Sequence, residues 1–333
     1  MIIPFFIPHA GCAHQCVFCN QRNITGRDSP PPPATVAQTI RKHLGTASSS
    51  VRTEVAFYGG SFTALPPEQQ QSYLGAVRPF IETGEVSSIR ISTRPDSISS
   101  DRLDLLEQFG VGTVELGAQS MNDRVLSFSG RGHSAGDTER SVRLLRDRRF
   151  TIGIQLMPGL PGDSPQFFRD TVVRVIDLGP DMVRLYPALV LRDTPLELQY
   201  RDGRYTPLSL DEAVTWCRDA MDRLERSGIR VIRVGLQPTE ELDRPGTVVA
   251  GPYHPSFRQL VDSARLLDRI RAILGPEHCA KDVTLAVNPR DLSSAAGQKR
   301  HNVRLLKEEF GLRSVAFGAD ASVPRGEVRL LRA

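Results

Sequence analysis

The run Gly11-Cys12-Ala13-His14-Gln15-Cys16-Val17-Phe18-Cys19-Asn20 places three of the chain's five cysteines within eight residues. Their spacing is C-x3-C-x2-C, and an aromatic residue, Phe18, directly precedes the last of them. Three thiolates on one short loop can hold three irons of a 4Fe-4S cluster and leave the fourth iron free. An open iron can bind and reduce a ligand, so the stretch predicts a reactive cluster rather than a simple electron carrier.

A structural zinc site is the main alternative for this loop. Such a site needs four ligands, which proteins usually supply as two separated pairs. Cys217 and Cys279 lie far along the chain, but His9 and His14 could complete a zinc tetrahedron. A disulfide framework is not expected, because the three clustered cysteines are odd in number and follow no signal peptide. We expect Cys217 and Cys279 to be small buried apolar side chains.

The composition of the 333 residues is that of a globular enzyme, with 40% hydrophobic and 24% charged residues. No apolar stretch is long enough to span a bilayer. A cluster that oxygen destroys needs a reducing compartment, so a cytoplasmic location is expected. The formal charge of +4, from 42 basic and 38 acidic residues, is too weak a bias to predict a nucleic-acid partner by itself.

Short apolar and β-branched runs alternate with longer amphipathic segments in the first part of the chain. The strand-like runs are residues 2–7, 54–58, 88–92, 113–116, 151–157 and 182–186, and the helix-like segments are residues 35–44, 67–81, 100–109, 135–148 and 165–178. This alternation predicts βαβ units and an α/β fold with six parallel strands. Residues 48–50 are interpreted as a simple loop.

Polar and glycine-rich motifs follow these strands at their carboxyl ends, where parallel β/α folds carry their chemistry. Glycines there let the backbone approach a ligand closely, although a tight turn would use them as well. An acid or an amide at a strand end is costly to bury unless it is bonded. The motifs are Tyr58-Gly59-Gly60-Ser61, Ser92-Thr93-Arg94-Pro95-Asp96, Glu115-Leu116-Gly117-Ala118-Gln119-Ser120, Gly130-Arg131-Gly132-His133, Gln155-Leu156-Met157-Pro158-Gly159 and Arg184-Leu185-Tyr186-Pro187-Ala188.

The cysteine spacing, together with Phe18, resembles that of the radical S-adenosylmethionine (SAM) superfamily. The resemblance implies that Cys12, Cys16 and Cys19 ligate a 4Fe-4S cluster whose free iron binds SAM. Reduction would then cleave SAM into methionine and a 5′-deoxyadenosyl radical that abstracts a hydrogen atom from the substrate. The resemblance also implies a partial six-stranded (β/α)6 TIM-like barrel and a reducing electron donor of the flavodoxin or ferredoxin type.

The strand-end motifs look most like one branch of that superfamily, which includes the elongator catalytic subunit, a tRNA wobble-uridine modifier, and the anaerobic coproporphyrinogen dehydrogenases. Thr93 matches a polar SAM-binding position of the porphyrinogen enzymes. By matching position, the likeness implies that Phe18 and Ala188 lie at the adenine, Gly59, Gly60 and Ser61 at the methionine part, Gln119 and Gln155 at the ribose and base, and Arg131 at the carboxylate.

Two departures limit what the elongator likeness implies. The elongator subunit spaces its first two cysteines much more widely, and it carries a basic N-terminal arm and an acetyltransferase domain that have no counterpart in these residues. Acetyl-CoA-dependent carboxymethylation of uridine is therefore not expected. The substrate can be tRNA or another nucleoside, or it can be a small molecule or peptide.

The likeness covers about residues 1–210, and we predict a radical SAM core over residues 1–225. Residues 226–333 are predicted to form a small C-terminal α/β extension that recognises substrate, with strands at 229–234, 283–287, 314–317 and 327–331 and helices at 255–274 and 292–310. The run Gln298-Lys299-Arg300-His301-Asn302, with Arg304 and Lys307, predicts a basic helical face. A solvated face is the ordinary interpretation of that face, and phosphate binding is the alternative.

The sequence thus predicts a radical SAM enzyme that acts without a membrane. Tyr58, Glu115, His133 and Tyr186 are the candidate catalytic residues, for quenching, proton transfer or orientation. Two interpretations from other classes stay open. One is a non-catalytic protein that handles tetrapyrroles or clusters on the same fold, and the other is a zinc-dependent RNA-binding module.

Overall fold

The computed structural model of the protein describes residues 1–26, 29–46 and 52–332, so the loop predicted at residues 48–50 lies outside the described residues. Strands and helices alternate as predicted. The strands are β1 Ile2–Ile7, β2 Glu54–Gly59, β3 Ser88–Thr93, β4 Val111–Gln119, β5 Thr151–Leu156, β6 Met182–Leu185, β7 Val190–Leu191, β8 Arg230–Val234, β9 Val248–Ala250, β10 Asp282–Val287, β11 Ser314–Ala319 and β12 Val328–Arg332. The helices are α1 Gln21–Thr25, α2 Pro33–Leu44, α3 Pro67–Glu82, α4 Ser100–Gln108, α5 Asp123–Phe128, α6 Ala135–Asp147, α7 Pro165–Leu178, α8 Pro195–Arg201, α9 Leu210–Arg226, α10 Glu240–Asp243, α11 Phe257–Ile273, α12 Leu292–Ala296 and α13 His301–Phe310.

The main sheet has the order β1-β2-β3-β4-β5-β6-β8 and is parallel throughout, which confirms the α/β partial barrel. The predicted strand count of six is wrong, because β8 forms a seventh strand that pairs with β6, Met182 opposite Arg230. Val231 and Val234 of β8 are buried, whereas Arg230 and Ile232 are exposed. That half-buried pattern is typical of an edge strand. β7, α8 and α9 lie between β6 and β8 and interrupt the simple alternation, so the sequence analysis assigns β8 to the extension.

The chain forms two compact units, residues 1–209 with 223–253 and residues 210–222 with 254–333. The first unit contains the whole seven-stranded sheet, so β8 lies in the same unit as β1 to β6. The recognition of substrate by the C-terminal region stays a prediction.

Side-chain caps and glycines fix where the helices next to the barrel begin and end. Ser134 and Asp137 form a reciprocal capping box at the start of α6, and Ser164 caps α7 by accepting the N–H of Phe167 at 3.1 Å. Gly179 ends α7 with a φ of +58°, a conformation that costs glycine little. The caps therefore fix where the loops that follow β4 and β5 end.

Four charged side chains from neighbouring strands form a buried ionic ladder inside the sheet. Arg90 donates to Glu54 and to Glu115, each at 2.9 Å, and Arg184 donates to both carboxylate oxygens of Glu115. β5 lies between β4 and β6 and leaves space for the Glu115 carboxylate at Gly153, because a Cβ at this position would lie only 2.9 Å from the Glu115 Cγ. A paired, hydrogen-bonded buried charge is tolerated where a lone one is not.

The second unit contains a three-stranded sheet of order β11-β10-β12, with β10 and β11 parallel and β12 antiparallel. The single helix predicted at residues 292–310 is wrong, because the chain breaks at Gly297, whose φ is +73°. Asn302 fills the break from inside: its side chain is 2% exposed and donates to the carbonyls of Ser263 and Ala295, both at 3.1 Å. A Cβ at position 297 would lie 2.9 Å from the backbone nitrogen of Asn302, so only glycine fits there.

The two cysteines outside the N-terminal group differ in their surroundings. Cys217 lies fully buried, as predicted. The prediction for Cys279 is wrong, since this residue is exposed in the short turn between Pro276–His278 and β10. Among the described residues, no helix has both the length and the apolar content that a membrane span needs.

We expect Glu115→Gln to lower the free energy of unfolding by about 3–5 kcal/mol, because it leaves Arg90 and Arg184 buried beside a neutral amide. Glu82→Gln is the matched control. It removes the same charge from an exposed pair with Arg78 (2.7 Å) and should cost less than about 1 kcal/mol. Urea unfolding of both variants checks this. Equal losses in the two variants would show that the ladder is not a structural element.

Candidate functional site

The cysteine loop (residues 8–20) packs backbone to backbone on the glycine turn (residues 59–61). Ser61 donates its N–H to the Ala10 carbonyl at 2.7 Å, and Gly60 donates to the Ile7 carbonyl at 3.0 Å. A Cβ at Gly60 would lie 2.0 Å from the Ala10 oxygen, and one at Gly11 would lie 2.3 Å from the Ser61 oxygen. Only glycine fits at both positions, so the two motifs that the sequence singled out form one rigid element.

The segment after α5 holds the cysteine loop from another side. Val17 donates its N–H to the Ser129 carbonyl at 3.1 Å, and a Cβ at Gly132 would lie 2.6 Å from the His14 ring. Arg131, from the same segment, is 6% exposed and points a guanidinium nitrogen at the Cys16 sulfur, at 3.1 Å. Its other terminal nitrogen donates to the Gly117 carbonyl at the end of β4.

The three thiols lie within electrostatic range of one another. Cys12 is exposed, Cys16 is buried and Cys19 is half-buried. Burial, and then the neighbouring Cys16 and Cys12, raise the pKa of Cys19 to about 12. Burial and Cys16 also raise the pKa of Cys12, against the opposing effect of Arg94 and Arg131. Three thiolates can share this loop only beside strong positive charge, which bound iron would supply.

A single zinc ion does not fit the loop as well. A zinc ligand must lie about 2.0–2.3 Å from one common point, yet within the described ranges no three His, Cys, Asp or Glu side chains gather in that way. The ring of His9 accepts the N–H of Gln21 at 3.2 Å, so that nitrogen is already occupied. In a 4Fe-4S cluster each thiolate binds a different iron, which allows the three sulfurs to stand further apart.

The hydroxyls at the predicted methionine end of the site are bonded within the protein. Thr93, at the end of β3, contacts the Ser61 hydroxyl at 3.0 Å and the Thr63 hydroxyl at 2.6 Å. Ser61 is fully buried, and its oxygen also accepts the N–H of Arg94 at 3.3 Å. Thr93 and Ser61 therefore position the glycine turn, and a ligand there would meet mainly backbone groups.

The remaining predicted SAM contacts fall into two groups. Gln155 donates to the side-chain oxygen of Gln119 at 3.3 Å, and Gln119 has a φ of +68°, a conformation that is rare outside glycine. Phe18 and Ala188 belong to one buried apolar cluster, together with Cys16. The structure thus brings the two amides together and, separately, the two predicted adenine neighbours.

Three buried nitrogens beside the cysteine loop have no hydrogen-bond partner among the residues that the structure describes: Arg94 Nη1, Arg131 Nε and His133 Nδ1. Arg94 is also held by Asp96 through two bonds of 2.9 Å. Buried polar atoms are nearly always bonded, so three unpaired nitrogens in one place indicate a site for a polar ligand.

His133 is neutral in this environment. Burial, and then Arg131 and Arg94, lower its pKa to about 4. Its Nε2 lies 3.2 Å from the Ala118 carbonyl, which can only accept, so Nε2 carries the hydrogen and Nδ1 presents a lone pair.

The other three candidate catalytic residues meet around Arg184 and form the tyrosine group (Tyr58, Glu115, Arg184 and Tyr186). Arg184 donates to the hydroxyl oxygens of Tyr58 and Tyr186, each at 3.2 Å, in addition to Glu115. Its guanidinium also lies over the Tyr58 ring, 5.3 Å from the centroid. Burial and Glu115 raise the pKa of Tyr58 to about 12, so this phenol keeps its proton.

Sequence reasoning missed the arginines that organise both groups. The strand-end motifs contain Arg94 and Arg184 without giving either a role, and the sequence analysis does not single out Arg90. Arg90 and Arg184 carry a recognisable signal, because each of these two arginines stands between apolar residues inside a buried strand, Ile89-Arg90-Ile91 and Val183-Arg184-Leu185. A charge in such a position needs a buried partner.

Comparison with known proteins finds relatives of two kinds. The curated relatives include a tRNA uridine(34) acetyltransferase from Methanocaldococcus infernus, 30% identical over 183 residues, or 49% of this chain and 34% of that protein. They also include an oxygen-independent coproporphyrinogen III oxidase from Paracoccus denitrificans, 27% identical over 192 residues, or 56% of this chain and 41% of that protein. The chain therefore spans well under two thirds of the length of these relatives.

A solved structure of the archaeal Methanocaldococcus infernus Elp3 with an N-terminal deletion has the same fold. The TM-score is 0.64 at 22% identity, and the alignment covers 84% of this chain and 65% of that one. The model of the Radical SAM C-terminal domain matches residues 180–265. The model of the Radical SAM superfamily matches residues 6–175, which include the cysteine loop, the glycine turn and strands β2 to β5, and the protein therefore belongs to the radical SAM superfamily.

Proposed function

We propose that the protein is an enzyme that holds a 4Fe-4S cluster through Cys12, Cys16 and Cys19, binds SAM beside it, and modifies a nucleoside in tRNA. The observation that carries the proposal is the backbone contact between the cysteine loop and the glycine turn, where Cβ atoms would clash at 2.0 and 2.3 Å. That contact joins the metal-binding motif to the end of β2. An electron donor of the flavodoxin or ferredoxin type would reduce the site.

The residues around the loop fit both groups. When bound, the cluster and SAM supply reductive cleavage of SAM and a radical that removes one hydrogen atom from the substrate. The protein's part is to hold the thiolates, to orient SAM and to exclude water. Arg131 serves the first two tasks, since it contacts the Cys16 sulfur at 3.1 Å and keeps its Nε hydrogen for a carboxylate.

His133 can hold SAM by accepting a hydrogen bond from it. Its Nδ1 lone pair is buried and unpaired within the described part of the chain, so it can accept a hydroxyl hydrogen, such as one from a ribose. A histidine whose pKa is about 4 stays neutral near pH 7, so it acts here as a positioning residue rather than as a proton donor.

The tyrosine group is suited to a substrate with oxygen acceptors. Both phenol oxygens accept a hydrogen bond from Arg184, so each phenol can donate its own hydrogen elsewhere. Two such donors can hold the carbonyl oxygens of a pyrimidine base. Glu115 is engaged by Arg90 and Arg184 on both oxygens, which favours a structural role over proton transfer.

The similarity to a tRNA uridine(34) acetyltransferase supports tRNA as the substrate class. The chain covers only 34% of that relative, so acetyl transfer is not included in the proposal. Chemistry on a small molecule is the competing outcome, which the similarity to a coproporphyrinogen oxidase favours.

Cys16→Ala should abolish formation of 5′-deoxyadenosine, because the loop then offers two thiolates instead of three. The protein is reconstituted anaerobically with iron and sulfide and assayed with SAM and a reductant. Cys217→Ala is the control, since Cys217 is fully buried and outside the loop, and it should keep the iron content and the activity. Continued 5′-deoxyadenosine formation by Cys16→Ala would contradict the cluster assignment. A single colourless zinc in the wild type would contradict it as well.

Cells that lack the gene should lose one modified nucleoside from their tRNA. Mass spectrometry of nucleosides from deletion and complemented strains checks this, with the Cys16→Ala gene as the control that should fail to restore the nucleoside. An unchanged nucleoside profile, with 5′-deoxyadenosine still formed in the purified enzyme, would move the substrate to the class of small molecules.

His133 should make the metal-free protein less stable in mild acid. Its folded pKa of about 4 lies below its ordinary value, so between roughly 6.5 and 4 the unfolded chain binds a proton that the folded chain does not. The free energy of unfolding should therefore fall as the pH falls, by about 2 kcal/mol from this residue between pH 7 and pH 5. Urea unfolding at pH 7 and pH 5 gives the change in the free energy of unfolding for each protein. We expect this change to be smaller than in wild type by that amount in His133→Gln. In His301→Gln, whose histidine is exposed, it should equal the wild-type change. An equal pH dependence in His133→Gln and wild type would refute the assignment of a neutral buried histidine.

A further inference from the structure

The second unit carries a concentrated positive surface, which we call the basic corner. Its four exposed cations lie where the chain breaks before α13 and along that helix, and they surround a shallow pocket that Val303, Ser314 and Val315 complete. The cations of the basic corner are Lys299, Arg300, Arg304 and Lys307.

These charges are not neutralised by the protein. Most other arginines of the second unit are paired with carboxylates, such as Arg271 with Glu309 and Arg325 with Asp291. The cations of the basic corner form no ion pair with any carboxylate that the structure describes, although Glu308 follows Arg304 by one helical turn. An unpaired group of like charges attracts a counter-ion from outside the protein.

The backbone presents these side chains at some conformational cost. Lys299 and Arg300 have φ values of +49° and +58°, which are unfavourable for residues other than glycine. Arg304 stabilises this turn by donating to the Lys299 carbonyl at 2.5 Å. α13 begins at the same corner, and the positive end of its helix dipole adds to the attraction for an anion.

The spacing of the cations selects the kind of anion. Arg304 and Lys307 lie on one face of α13 at i and i+3, and Arg300 directly precedes the helix, so the three cations extend over roughly 10 Å along the helix axis. One phosphate group cannot span that length, whereas the backbone of a nucleic acid can. The pocket lining contains no aromatic side chain on which an unpaired base could stack.

We propose that the basic corner binds the phosphate backbone of a base-paired RNA stem. The inference rests on the proposed tRNA substrate and adds to it the surface of the second unit that contacts the RNA. Binding of this kind is independent of sequence and weakens steeply with salt.

The test measures binding of the full-length wild-type protein and its variants to a fluorescein-labelled 20-bp RNA duplex and to unfractionated tRNA, by fluorescence anisotropy over a range of salt. Arg300→Gln combined with Lys307→Gln removes two cations and keeps the bond from Arg304 to the Lys299 carbonyl that stabilises the strained turn. The matched control combines Lys281→Gln with Arg290→Gln, two exposed cations outside the pocket, and changes the net charge equally. All variants should form 5′-deoxyadenosine from SAM alone as the wild type does.

We expect the first pair of substitutions to weaken RNA binding about tenfold or more near 0.1 M salt, and to lower the salt slope by about two. The control pair should stay within about twofold of wild type. Equal weakening in both pairs would overturn the basic corner while leaving tRNA modification, judged from the nucleoside profile, in place. If the wild-type protein binds heparin or phosphatidylserine vesicles but neither RNA, both the proposed RNA-binding surface and the proposed tRNA substrate are wrong. The SAM cleavage assay tests the radical chemistry separately.

Discussion

The candidate site depends on a contact that no side chain larger than hydrogen permits, between the backbone of the cysteine loop and that of the glycine turn. Two glycines on opposite sides of this contact, Gly11 and Gly60, would each bring a Cβ to within 2.3 Å of a carbonyl oxygen. The loop has little regular structure of its own, so its shape comes from this contact and from the segment that carries Arg131. A substitution at either glycine would displace the three thiols together and leave each cysteine in place along the sequence.

Buried charge is the second organising element, and it divides the site into two parts. Arg94, Arg131 and His133 lie beside the thiols and keep unpaired nitrogens, whereas Glu115 and Arg184 satisfy each other within the sheet. The first part is incomplete without a ligand, and the second is nearly complete by itself. This difference supports ligand binding in the first part. In the second it supports orientation of a substrate through the hydrogens of Tyr58 and Tyr186.

Local sequence signals predicted the elements that have a regular period. β1 and the helices α2, α3, α4, α6 and α7 follow the predicted ranges closely, and spacing and composition predict the cysteine loop and the glycine turn. The errors came from contacts between distant residues. Gly297 and Asn302 interrupt the predicted helix because Asn302 bonds to Ser263. β8 joins the sheet beside β6 after β7, α8 and α9 have interrupted the alternation. The roles of Arg90 and Arg184 depend on which strands are neighbours, and periodicity alone does not give that order.

The parallel pairing of β1 with β2 has a consequence for how the protein matures. Ile2 lies opposite Glu54 and Ile7 opposite Gly59, so the loop that carries the thiols takes its shape only after a long stretch of chain has closed on itself. Apolar burial and backbone bonding contribute to that closure. In small zinc domains the metal provides the folding free energy, whereas here the contacts that build the parallel sheet also position the loop. A substitution that weakens the pairing of β1 with β2 would therefore displace the thiols without changing any cysteine.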